Sequence, residues 1–259
     1  MKTLLVIVLI NLFSGYCYGY TDEEFGLQIM EELDRRDSGF GDNTVETKMI
    51  LKNKSGDETL RMLKISTLEV RDDGNKSLTI FESPLDIKGT SFLSYTHALI
   101  PDEQWLFLPD LKRTKRISSS NKSGSFLGSE YAYEDLTSFE IQKYKYKYLR
   151  EDIVQNKTCH VVELYPQYED SGYTKQIFWI EKDRYIPLKT EYFDRKDTLL
   201  KTQEYSKYNQ YLGRYWRSNE MNIINHQNGR STKMISEKFD FKTNLTARNF
   251  DQHSLQHSK

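Results

Sequence analysis

From residue 45 to residue 241 the chain is a train of short runs in which apolar and polar residues alternate, and this restricts its fold more than any other feature. The runs cover 45–52, 59–70, 77–82, 91–98, 103–108, 112–118, 143–149, 158–165, 174–181, 185–193, 199–207, 214–225 and 231–241. A period of two sends successive side chains to opposite faces of a strand. Tyr144, Tyr146 and Tyr148 alternate with Lys143, Lys145 and Lys147, and Ile186, Leu188 and Tyr192 alternate with Lys189 and Glu191. Turn-forming groups divide the runs, among them Lys54-Ser55-Gly56-Asp57, Asp170-Ser171-Gly172, Asp194-Arg195-Lys196-Asp197 and Asn228-Gly229. No helical pattern separates one run from the next, which disfavours a parallel, nucleotide-binding α/β fold. An antiparallel sheet that curls or closes is predicted, in a single domain spanning 20–250, with residues 251–259 as a disordered tail.

Two segments precede the sheet. Residues 1–19 read as a cleaved signal peptide: Lys2 is the basic start, an apolar run follows from Leu4, and Cys17-Tyr18-Gly19 offers a cleavage site. That run is about half the ~20 residues a membrane span needs. Bulky Tyr16 before Cys17 argues against a lipoprotein signal. Cleavage leaves Cys159 as the one cysteine, so no internal disulfide can form; a buried thiol is expected there, with His160 on the opposite face of its strand. Next, Thr21 and Glu24 form a capping box ahead of a helix through Asp37, with Phe25, Ile29, Met30 and Leu33 as its apolar stripe. Five Asn-x-Ser/Thr sequons, at Asn53, Asn75, Asn121, Asn156 and Asn244, read as turns.

The most distinctive stretch is 103–136. Trp105, Leu106, Phe107 and Leu108 lead into a Pro109-Asp110 turn. The ribbon Lys112, Arg113, Lys115 and Arg116 follows, with cations on both strand faces, as an edge or a mouth allows. Then comes a Ser/Asn/Gly loop that holds Phe126 and Leu127, closed by Tyr133-Glu134-Asp135-Leu136. The series W-L-F-L-P-x-L-K-R-x-K-R-I-S, S-G-S-F-x-G-S and Y-E-D-L resembles the outer-membrane lipoprotein-sorting family of LolA-like proteins, in its longer periplasmic branch found with membrane exporters. The resemblance extends over most of residues 24–250. It implies a LolA/LolB-like incomplete, half-open β-barrel with an N-terminal helix and a loop lid. It also implies a periplasmic carrier of a lipid or lipidated protein, with an inner-membrane exporter or outer-membrane acceptor as further partners, and a monomer.

The residues themselves carry part of that expectation. One short helix is little material to cover so long a sheet, so apolar inner surface remains for a ligand or another segment. Trp105, Phe107, Ile177 and Trp179 are expected to line such a cavity, with Phe126 and Leu127 in a covering loop. The ribbon Lys112, Arg113, Lys115 and Arg116 is expected to meet a membrane or partner surface. The rival reading is an accessory module that docks on an exporter or an anionic envelope surface through that ribbon, over a filled core. Cations and acids nearly balance, 37 against 38, which gives no global pull toward nucleic acid. No nucleophile elbow, P-loop, dinucleotide fingerprint or metal-ligand spacing of histidines occurs, so no catalytic residue, metal or cofactor is expected.

Overall fold

The computed structural model describes residues 20–71 and 73–257, so the expected signal peptide lies outside the described residues. One helix, α1 (Asp22–Asp37), opens the chain. It is followed by β1 (Asp42–Lys52), β2 (Glu58–Leu68), β3 (Lys76–Ser83), β4 (Ser91–Tyr95), β5 (Glu103–Leu108) and β6 (Arg113–Arg116). After a long crossing segment come β7 (Tyr144–Val154), β8 (Lys157–Pro166), β9 (Tyr173–Glu181), β10 (Pro187–Asp194), β11 (Leu199–Tyr211), β12 (Tyr215–Asn225) and β13 (Ser231–Phe241). A short helix, α2 (Gln252–His257), ends the described chain.

The thirteen strands form one antiparallel sheet ordered β6-β5-β4-β3-β2-β1-β13-β12-β11-β10-β9-β8-β7. Two meanders thus run outward from the central β1–β13 pair, where Met49 lies opposite Met234. The sheet does not close: β6 and β7 are its free edges, and segment 117–143 passes between them. The alternating runs pointed to the antiparallel sheet, and the resemblance to its incomplete closure. The ribbon strand is shorter than 112–118, because Lys112 takes a left-handed conformation (φ 45°) that caps the single turn Pro109–Leu111.

The helix begins where the capping box places it. The Thr21 N–H donates to Glu24 Oε2 (2.9 Å) and the Glu24 N–H donates to Thr21 Oγ1 (3.2 Å), satisfying two of the free first-turn donors. Ile29 and Met30 are buried against Tyr146, Val162, Leu164 and Ile180, with Phe25 and Leu33 beside them. Gly26 is what lets α1 lie so close: a Cβ there would come within 2.8 Å of the Tyr148 backbone nitrogen on β7.

A second cover lies over β1–β5. In the loop after β6, Phe126 is 1 % exposed and packs on Phe81, Phe92 and Tyr133, with centroids 5.9, 5.2 and 5.5 Å away. Met49, Leu63, Leu106, Ile223 and Met234 complete this cluster. Polar pins hold the loop down. Buried Lys201 donates to Asp135 Oδ2 (2.5 Å), and Glu134 accepts from Tyr168, Ser171 and the Gly172 N–H. The opposite face of the sheet is covered by the C-terminal segment. Phe250 and Leu255 pack on Leu78, Leu93 and Trp105, and Ser91 Oγ donates to the Leu255 carbonyl (2.6 Å). The short helix Gln252–His257 is therefore anchored through buried Leu255, where a loose tail was expected for 251–259. Phe250 and Leu255 are two isolated apolar residues in a polar stretch, too few to show a period.

Candidate functional site

Between the two covers, the inner face of the sheet bounds a cavity of about 1610 Å3. Its floor comes from the central strands: Val45 on β1, Ile65 on β2, Met221 on β12 and Met234 on β13. The β11 and β12 aromatics Tyr205, Tyr208 and Trp216 form one wall. Leu33 at the end of α1, and Phe139 and Ile141 at the end of the crossing segment, form the roof. The rim is charged, and its cations lie over aromatic faces. Arg36 stands 4.4 Å from the Tyr185 ring and Arg184 stands 4.9 Å from the Trp216 ring. Arg217 pairs with Asp37, and Arg184 pairs with the buried carboxylate of Glu181.

The lining carries acids as well. Burial, moderated by the nearby Lys143 ammonium, pushes the Glu140 carboxyl up to about 7; the negative charges of Asp34, Asp102 and Asp73 add to the rise. Burial also raises Asp34, with Asp37 and Glu69 contributing. A cavity with an apolar floor and polarised rim can hold an acyl chain below and a headgroup above. Among the described residues no group of three or more His, Cys, Asp or Glu could hold a metal ion. Cys159 is buried, and burial drives its thiol up to about 11, so little nucleophilic thiolate exists at neutral pH. His160 points to the other face, toward Phe25 and Tyr148 of the α1 contact.

The residues expected to line the cavity lie elsewhere. Trp105, Phe107, Ile177 and Trp179 do share one face of the sheet, but it is the outer face. On β5, Leu106 lies opposite Phe92 on the inner side, so Trp105, opposite Leu93, points outward to Phe250. On β9, Phe178 lies opposite Val162 under α1, so Trp179, opposite Val161 and Lys189, points away. Its indole N–H donates to Asp152 (3.0 Å), and it packs on Cys159, Ile177 and Leu188. Phe126 and Leu127 belong to the covering loop, yet they fill the inner face beside the cavity and do not line it. Of the ribbon, Arg116 is taken by Glu103 (3.0 Å), whereas Lys112, Arg113 and Lys115 are exposed on and beside edge strand β6. The true floor was hidden because Val45, Ile65, Met221 and Met234 look like ordinary core residues in sequence. Their period showed that strand neighbours alternate, but not which face turns inward.

The comparisons agree with this architecture. A family model described as "Uncharacterized protein" matches residues 73–257. The crystal structure of an outer membrane lipoprotein-sorting protein domain from Vibrio parahaemolyticus is 46% identical, covers 90% of this chain and 99% of its own, and superposes with a TM-score of 0.89. The chain belongs to the outer membrane lipoprotein-sorting family. A DUF1329 family protein from Desulfovibrio piger is 25% identical, with a TM-score of 0.86 over 91% of this chain and 100% of its own. A LolA superfamily protein from Nitrosomonas europaea is 19% identical and shares the fold, with a TM-score of 0.71 over 88% of this chain and 98% of its own. No curated protein matches the sequence. In this chain, as the resemblance implied, the half-open sheet is the family fold.

Proposed function

We propose that this protein is a periplasmic carrier that shields the acyl chains of a lipid or lipoprotein in the inner cavity during transfer toward the outer membrane. The observation that carries the reading is the cavity itself. At about 1610 Å3 it exceeds the ~300–1,000 Å3 of pockets that hold drug-sized ligands. Its floor of Val45, Ile65, Met221 and Met234 offers an acyl chain apolar contact, with Asn43, Thr67 and Ser236 beside it. Burying each CH2 contributes ~0.8 kcal/mol, so a chain of about 16 carbons offers up to ~13 kcal/mol before the costs of association. The kinship with a lipoprotein-sorting domain supports the same role. Release then requires a competing site, or a cover that opens.

Native mass spectrometry of protein exported to the periplasm, followed by extraction and analysis of its lipids, tests the proposal. The expected result is a stoichiometric acyl-bearing lipid or lipopeptide. Protein that emerges empty and takes up no acyl chain from micelles or vesicles would contradict it.

A further inference from the structure

The end of the sheet formed by the β3–β4 and β5–β6 connections carries a surface that the cavity does not explain. Leu85 is 88 % exposed and Leu111 is 68 % exposed, each at the tip of its connection. Solitary exposed leucines are common; here two stand on touching loops that also carry exposed cations. The loops do touch, for the Cβ position of Gly89 lies 3.3 Å from Pro109 Cγ. Both tips are held. Ile87 packs inward on the loop-covered core, the Gly89 N–H donates to the Phe81 carbonyl (2.8 Å), and the Lys112 N–H donates to the Pro109 carbonyl (2.9 Å). The leucines therefore stand out on fixed backbone.

Residues 84–90 and 109–116 hold five cations, Lys88, Lys112, Arg113, Lys115 and Arg116, against two carboxylates, Asp86 and Asp110. Only Arg116 of the five has an acidic partner within ion-pair distance among the described residues. Lys88, Lys112, Arg113 and Lys115 are exposed. Their place on and beside a free edge has a plain use, since charge on an edge strand blocks sheet-to-sheet pairing. That use accounts for the cations and leaves Leu85 and Leu111 unexplained.

We propose that this edge docks on an anionic phospholipid surface, Leu85 and Leu111 entering the acyl boundary while Lys88, Lys112, Arg113 and Lys115 meet headgroup phosphates. Long basic side chains reach the headgroup level while an apolar tip sits below it, so the two residue types act together. The phosphate surface is the partner that fits, because it satisfies the cations and accepts the leucines, whereas water satisfies only the first. Each basic residue brought to an anionic leaflet is worth about a factor of five in binding. The leucine part is indifferent to salt, and the cation part fades as the screening length falls from ~10 Å at 0.1 M to ~3 Å at 1 M.

The experiment is flotation of the exported protein with vesicles of phosphatidylcholine alone or mixed with phosphatidylglycerol. Wild type should float with the anionic vesicles, weakly with the neutral ones, and release in high salt. Lys112→Glu with Arg113→Glu and Lys115→Glu should weaken the anionic binding on the order of a hundredfold or more. Leu85→Ser with Leu111→Ser should weaken it with the salt dependence retained. Circular dichroism and acyl-chain affinity, read on each variant, show that fold and cavity are intact. These sites lie outside the cavity lining, so the edge and the cavity stand or fall separately. Equal flotation with both vesicle types, no flotation, or variants that float like wild type would overturn the docking edge, leaving the cations as edge protection.

Discussion

Glu140 is the residue whose chemistry most exposes the cost of building the cavity. Its carboxyl is lifted to about 7, chiefly by burial, against an ordinary value of 4.5. The folded protein therefore holds this proton more tightly than the unfolded chain does, and stability falls as pH rises from about 4.5 through about 7. Glu140→Gln should remove that slope and raise stability above pH 7 by about 1–2 kcal/mol, a value reduced because the side chain is only half-buried. Chemical unfolding of both proteins at pH 5 and pH 8 checks it, and the two should differ more at pH 8. The charges that face Glu140, namely Lys143, Asp34, Asp102 and Asp73, come from four different segments of the chain. No spacing rule in the sequence could have assembled them. Cys159 is the contrary case: a lone cysteine in a strand-like run reads as a buried thiol, and it is one.

At the scale of elements, α1 was legible to the residue. Thr21 and Glu24 sit at capping-box spacing, and Ile29, Met30 and Leu33 repeat at helical spacing, so local chemistry alone fixes both the helix and its apolar face. What stayed hidden is the closeness of its approach to β7, which depends on Gly26. Gly26→Ala should raise helix propensity yet destabilise the protein by about 1–3 kcal/mol, since the methyl would meet the Tyr148 backbone. Thermal or urea denaturation reads the sign directly. The covering loop behaves differently, because its order comes from contacts far away in sequence. Phe126→Ala should cost about 3–5 kcal/mol, as for other fully buried aromatic rings, and should leave a void beside Phe81 and Phe92. A ring flanked by Gly124 and Gly128 in a serine-rich stretch suggested a cover; that it packs into the inner face required Phe81 and Phe92 to be placed opposite it.

For the whole molecule, strand count and antiparallel order followed from turn chemistry and period two, whereas incomplete closure came only from the family resemblance. The sidedness followed from neither. Alternation groups Trp105 with Phe107, and Ile177 with Trp179, but a curled sheet has an inner and an outer face that carry the same period. Which face is outer was decided by Phe250 and Leu255, residues near the C-terminus that cover β4 and β5. If acyl chains occupy the space above Val45, Ile65, Met221 and Met234, titration of the exported protein with a fluorescent fatty acid shows saturable binding. Ile65→Trp should put bulk onto the floor, weaken saturable binding and leave the fold intact by circular dichroism. Trp179→Phe, on the opposite face, should bind like wild type. Undiminished binding by Ile65→Trp, or loss of binding confined to Trp179→Phe, would contradict the account.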